Sequence, residues 1–119
     1  MKRILVCDDD AGILEVTKII LETNGYQVET LDNGKSIIKK VKRFKPNLIL
    51  LDLWMPGIEG KEITKLLKAD PETKTIPLIL VSAVNELGKI ASGSAADGYL
   101  SKPFDMTELL SLAKKHTRG

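Results

Sequence analysis

A single cysteine and a single histidine close off several kinds of chemistry at the outset. Cys7 cannot form an internal disulfide, and next to Ile4, Leu5 and Val6 it reads as a small apolar residue of a buried strand, which fits a reducing compartment. His116 stands among Lys114, Lys115 and Arg118 with no second ligand type at metal-ligand spacing, so it reads as a solvated tail residue and not as part of a zinc centre. No apolar run reaches transmembrane length, and Met1-Lys2-Arg3 is followed by only four apolar residues before Asp8, too few for a secretory signal. A cytoplasmic location is expected. Repeats, linkers and low-complexity segments are also missing.

What is present is ordinary globular material: 119 residues, 43% hydrophobic and 29% charged, with a net charge of only +2. That length suits one domain over residues 1–119 with no output domain attached. Most of the basic excess lies in Lys35, Lys39, Lys40, Lys42, Arg43 and Lys45, around a helical stripe of Ile37, Ile38, Val41 and Phe44. With no aromatic or Gly-rich reading element beside it, this is a solvated helix face, and no direct nucleic-acid binding is expected.

Strand and helix signals alternate along the whole chain. Lys2 to Cys7, Tyr26 to Thr30, Leu48 to Leu51, Ile76 to Val81 and Gly98 to Ser101 read as strands. Between them, Ile13, Leu14, Val16, Ile20 and Leu21 form a helical stripe that stops at Asn24-Gly25. Ile58, Ile63, Leu66 and Leu67 form another that ends at Ala69-Asp70-Pro71. Met106, Leu109, Leu110 and Ala113 give a last helix its buried face, with Asp105 and Glu108 as a capping-box-like start and Phe104 with Leu109 as its staple. The segment from Asn85 to Gly98 should hold a fourth helix. It carries three Gly and two Ser with little apolar periodicity, so that helix is expected to be short or mobile. The alternation predicts an α/β fold with helices on both faces of a parallel sheet.

The chemistry gathers at the strand ends. Leu48-Ile49-Leu50-Leu51 is apolar enough to be buried on both faces, and it ends in Asp52, followed by Leu53-Trp54-Met55-Pro56-Gly57. The first strand ends in Asp8-Asp9-Asp10. Asp10 suits the N-cap of the helix that begins near Ala11, but capping needs one Asp and not three. Neighbouring parallel strands would bring the other acids beside Asp52, where mutual repulsion favours a cation. An all-oxygen set suits a hard ion, Mg²⁺ before Zn²⁺. Ile76 to Val81 ends in Ser82, and Gly98-Tyr99-Leu100-Ser101 ends in Lys102-Pro103-Phe104, adding a hydroxyl and an ammonium.

An acid pair, a central Asp, a Ser and a Lys in this order, each closing a strand, resemble the receiver domain of two-component response regulators, close in layout to the stand-alone chemotaxis-regulator type. The resemblance implies a flavodoxin-like doubly wound five-stranded parallel sheet in the order 2-1-3-4-5, with five helices. It implies that Asp52 accepts a phosphoryl group from a sensor histidine kinase or histidine phosphotransfer protein. Asp8 and Asp9 would hold Mg²⁺ together with Asp52 and the main-chain carbonyl of Trp54. Ser82 and Lys102 would contact the phosphoryl oxygens, and Ser82 and Tyr99 would be the switch residues acting on an unidentified downstream protein. The chain would be a monomer or a phosphorylation-dependent dimer, and not an enzyme beyond its own phosphorylation and dephosphorylation. The interval from Ser82 to Lys102 is shorter than is usual in the family, and Trp54 is a large side chain for its position.

Two rivals are weaker. An Mg²⁺-dependent phosphohydrolase with Asp52 as nucleophile needs a second acid to protonate the leaving group, yet Leu53 and Trp54 follow Asp52. A flavin carrier of the same fold needs a Ser/Thr/Gly-rich phosphate loop after the first strand, where Asp8 to Asp10 would instead repel a phosphate.

Overall fold

The computed structural model describes residues 1–53, 59–83 and 95–117. Five strands, β1 (Arg3–Cys7), β2 (Gln27–Leu31), β3 (Leu48–Asp52), β4 (Leu78–Ser82) and β5 (Gly98–Ser101), form one parallel sheet in the order β2-β1-β3-β4-β5. The described helices are α1 (Ala11–Thr23), α2 (Ile37–Phe44), α3 (Gly60–Ala69) and α4 (Met106–Thr117). The helix expected between Asn85 and Gly98 falls mostly outside the described residues, and Gly98 itself opens β5.

Strand parity divides the core. Side chains of consecutive strand residues point to opposite faces. Leu5, Cys7, Ile49, Leu51, Leu78 and Leu80 therefore share one face, packed against Ile37, Val41 and Phe44 of α2 and Ile63 and Leu67 of α3. Ile4, Val6, Leu48, Leu50, Ile79 and Val81 fill the other, against Leu14 and Leu21 of α1 and Leu109 and Ala113 of α4. All five residues of β3 and of β4 are buried, as expected of strands covered on both sides.

The helix ends follow local chemistry. Asp10 caps α1, its Oδ1 accepting from the Gly12 and Ile13 amides at 2.9 and 3.1 Å. At the other end Gly25 takes φ 93°, with the Gly25 amide donating to the Glu22 carbonyl and the Tyr26 amide to the Leu21 carbonyl, both at 3.1 Å. This is the paired bonding of a Schellman stop. Asp105 caps α4 by accepting from the Glu108 amide at 2.7 Å. Arg3 reaches from β1 to the end of α2, where its Nε and Nη2 donate to the Phe44 and Lys45 carbonyls at 2.8–3.1 Å. Lys68 of α3 donates to the Lys74 and Ile76 carbonyls and pairs with Asp97 at 2.7 Å, tying α3 to the entrances of β4 and β5.

Three apolar assignments differ from the periodic reading. Val16 is 57% exposed, Met106 55% and Leu66 45%, while Thr17 and Thr64 take the buried positions instead. In α1 the buried line runs through Leu14, Thr17 and Leu21, and Val16 lies round the helix from it, with Ile13 and Ile20 on the flank. Ile58, assigned to the α3 stripe, lies outside the described residues. No helix among the described residues is long and apolar enough to cross a membrane.

Cys7 is buried, and its burial, reinforced by the neighbouring Asp8, pushes the thiol well above the usual cysteine range. The thiolate is suppressed at neutral pH. Native protein should therefore react with a chromogenic disulfide reagent at least about 100-fold more slowly than the urea-unfolded chain, which a stopped-flow thiol assay checks.

Candidate functional site

The pairing of β1 with β3 assembles the acids. Ile4 lies opposite Leu48 and Cys7 opposite Leu51, and the same offset carried one residue further sets Asp8 opposite Asp52. Both carboxylates are buried, whereas Asp9 faces solvent. One carboxylate oxygen from each of Asp8, Asp9 and Asp52 lies within 4.8 Å of the others. This is the cluster expected from the ends of the first and third strands.

Lys102 brings the opposite charge from the end of β5. Its Nζ lies 2.7 Å from Asp8 Oδ2 and 3.8 Å from Asp52 Oδ1. Its amide donates to the Ser82 carbonyl at 3.0 Å, which joins the loop after β5 to the end of β4, and the Lys102–Pro103 peptide is cis. Ser82 is buried at the end of β4, one residue past the partner of Asp52, and lies opposite Ser101. Tyr99 is 51% exposed on β5. Trp54, expected to offer a main-chain carbonyl, lies outside the described residues.

Two supporting residues escape a reading of spacing alone. Gly60 opens α3 so close to β3 that a Cβ there would fall 2.7 Å from the Asp52 carbonyl and 2.9 Å from Leu53 Cα, and its amide donates to the Leu53 carbonyl at 2.9 Å. Only glycine allows that approach. The second is the amide of Asp10, which donates to Asp8 Oδ1 at 3.0 Å, so the capping residue of α1 also orients the first buried acid.

Chemically, three crowded carboxylates and one ammonium leave an excess of negative charge among hard oxygen donors, a set that fits a small divalent cation of the magnesium type. A buried carboxylate at the C-terminal end of a central strand, with a buried hydroxyl ending the next strand and a lysine just after the one beyond, matches the layout of a phosphoacceptor domain of flavodoxin-like fold.

Comparison with known proteins agrees. The chain belongs to the response regulator receiver domain family, whose profile matches residues 4–114. It is 33% identical over 119 residues to the DNA-binding response regulator MtrA of Mycobacterium leprae, a match covering 98% of this chain and 52% of that protein. It is 36% identical over 115 residues to the phosphate regulon transcriptional regulatory protein PhoB of Klebsiella pneumoniae, covering 95% and 50%. The chain thus spans about half the length of these curated relatives. Among solved structures, the chemotaxis response regulator CheY4 of Vibrio cholerae superposes with a TM-score of 0.89 at 26% identity over 97% of this chain and 98% of that one. A CheY-like receiver domain protein from Methanospirillum hungatei gives 0.85 at 34% identity over 97% and 92%. The chain is thus a receiver domain of the response regulator family, and the phosphohydrolase alternative is not favoured.

Removing one of the crowded acids should relieve repulsion. At an effective dielectric of about 20, two like charges this close repel by about 3 kcal/mol, partly offset by the lost attraction to Lys102. Asp52→Asn should therefore raise stability by about 1–2 kcal/mol in metal-free buffer, read by urea denaturation. An unchanged or lower midpoint would show that the acids do not repel one another as placed.

Proposed function

We propose that Asp52 receives the phosphoryl group, that Asp8 and Asp9 hold Mg²⁺ with it, and that Lys102 and Ser82 bind the transferring oxygens. The observation that carries this reading is the convergence of the three carboxylates within 4.8 Å, with Lys102 Nζ between Asp8 and Asp52. An Asp52 oxygen forms the new P–O bond as the P–N bond of a phosphohistidine breaks, and the electron pair leaves on the imidazole nitrogen. Lys102 offsets charge on the phosphoryl oxygens by leaving Asp8 for them, and the Ser82 hydroxyl donates a hydrogen bond to one of them. Bound Mg²⁺ would neutralise the acid cluster, which would otherwise repel the incoming phosphate. Ser82 then moves toward the phosphoryl group and the exposed Tyr99 ring turns inward behind it, altering the surface that a downstream protein reads.

Incubation with acetyl phosphate and Mg²⁺ tests the chemistry. Intact mass should rise by one phosphoryl group, the label should be labile, and both Mg²⁺ removal and Asp9→Ala should slow its appearance by about 100-fold or more. Asp52→Asn should take up none. Full labelling of folded Asp52→Asn would overturn the assignment.

The phosphodonor in this reading is a sensor histidine kinase or histidine phosphotransfer protein, and the protein works in the cytoplasm. An apolar groove of about 600 Å³ supports a protein donor, because it opens beside Lys102 and Asp10 and is lined by Ile13, Val16, Ile20, Pro103, Phe104 and Met106. Exposed apolar side chains grouped at a reaction site mark contact with a partner. Val16→Glu should reduce transfer from the cognate phosphohistidine protein by about 10-fold, equivalent to about 1.4 kcal/mol, and leave labelling by acetyl phosphate unchanged. Equal losses with both donors would place the defect in the site itself.

A further inference from the structure

A second surface carries charge that the phosphoacceptor chemistry does not use. At the amino end of the sheet, a groove of about 620 Å³ lies between β2 and α2, lined by Arg3, Glu29, Lys40, Arg43, Phe44 and Lys45. Its four cations face one carboxylate. Lys40 pairs with Glu29, and Arg3 is engaged with the carbonyls that end α2. Arg43 and Lys45 are exposed and meet no acidic group among the described residues. Lys42, on the other flank of α2, is already neutralised by Asp70 at 2.9 Å, which holds the Asp70 carboxyl below the usual range. Of Lys42, Arg43 and Lys45, the two on the groove side therefore carry the uncompensated charge.

β2 is an edge strand, and it borders this groove. The Gln27 amide donates to the Lys2 carbonyl and the Leu31 carbonyl accepts from the Asp8 amide, so the odd-numbered residues of β2 turn their peptide groups toward β1. In a parallel ladder the intervening residues, Val28 and Thr30, turn theirs outward. Among the described residues nothing pairs with that outer edge. An open edge is a template for an extended segment of another chain.

We propose that this groove binds an acidic, extended segment of a partner protein, with carboxylates on Arg43 and Lys45 and its backbone along β2. Charge complementarity selects the sign of the ligand. A protein segment is favoured over nucleic acid on two counts. The open edge of β2 offers backbone pairing that a polypeptide can use, and the only aromatic ring lining the groove, Phe44, is buried and closed to base stacking. The groove lies at the opposite end of the sheet from Asp52, so such a partner can be held while the phosphoacceptor site is engaged.

The test is an amide NMR titration of the full chain with hexaglutamate, repeated with a ten-residue oligothymidylate. Shifts should cluster at Arg3, Gln27 to Leu31 and Lys40 to Lys45, and affinity should fall with salt. The double variant Arg43→Gln/Lys45→Gln should weaken hexaglutamate binding about 10-fold or more, while Lys65→Gln, an exposed lysine on α3, should not. Unchanged labelling of each variant by acetyl phosphate shows that it is folded. No binding, shifts spread evenly over surface lysines, an unaffected double variant, or tighter binding of the oligonucleotide at this groove would each overturn the proposal.

Discussion

The balance between three carboxylates and one ammonium governs the carboxyl end of the sheet. Asp8 and Asp52 are buried side by side because β1 and β3 pair in a register that allows nothing else, and burying two like charges is unfavourable unless a counter-charge accompanies them. Lys102 supplies it from two strands away. The ends of β1, β3 and β5 are thereby coupled. The Lys102 amide on the Ser82 carbonyl adds β4, and Gly60 lets α3 close on the Asp52 carbonyl. One lysine against three acids still leaves the cluster negative, so an incoming phosphoryl group would be repelled without a further cation. In the proposed transfer, the electrostatics of the trio, and not only family likeness, call for a divalent metal.

Much of this was legible in the sequence because parallel strands buried on both faces write themselves as continuous apolar runs. Leu48 to Leu51 and Leu78 to Val81 contain no polar residue, and the residue that ends each run is the one placed at the site. Strand edges were less legible. Ile76 and Pro77 read as strand but precede β4, because Lys68 and Asp97 hold the entrance to that strand by contacts that only the tertiary fold creates. The exposure of Val16 and Met106 was not legible at all, since helical periodicity reports apolar character and cannot distinguish a face turned to the core from one turned to a groove. Gly60 was silent for a similar reason: its role is to be small against the backbone of β3 where α3 begins, and nothing in its neighbours signals that contact.

The parity of the sheet also separates the surfaces by chemistry. α1 and α4 cover one face, and where they leave Val16 and Met106 uncovered an apolar groove meets the acid cluster. α2 covers the other face near the β2 edge, and its exposed side carries the basic residues. Apolar burial gives a transient docking event its affinity, whereas charge gives it rate and orientation. In the proposed transfer, a contact that must form and break each time belongs beside Asp52, where a few exposed apolar side chains suffice. A contact that selects among partners is better placed at the far end of the sheet, where long-range charge acts without bringing anions near Asp8, Asp9 and Asp52, whose own charge would oppose them. The register that crowds the acids at one end of β1 thus also sets Arg3 at the other, where it closes α2 and shapes the basic groove.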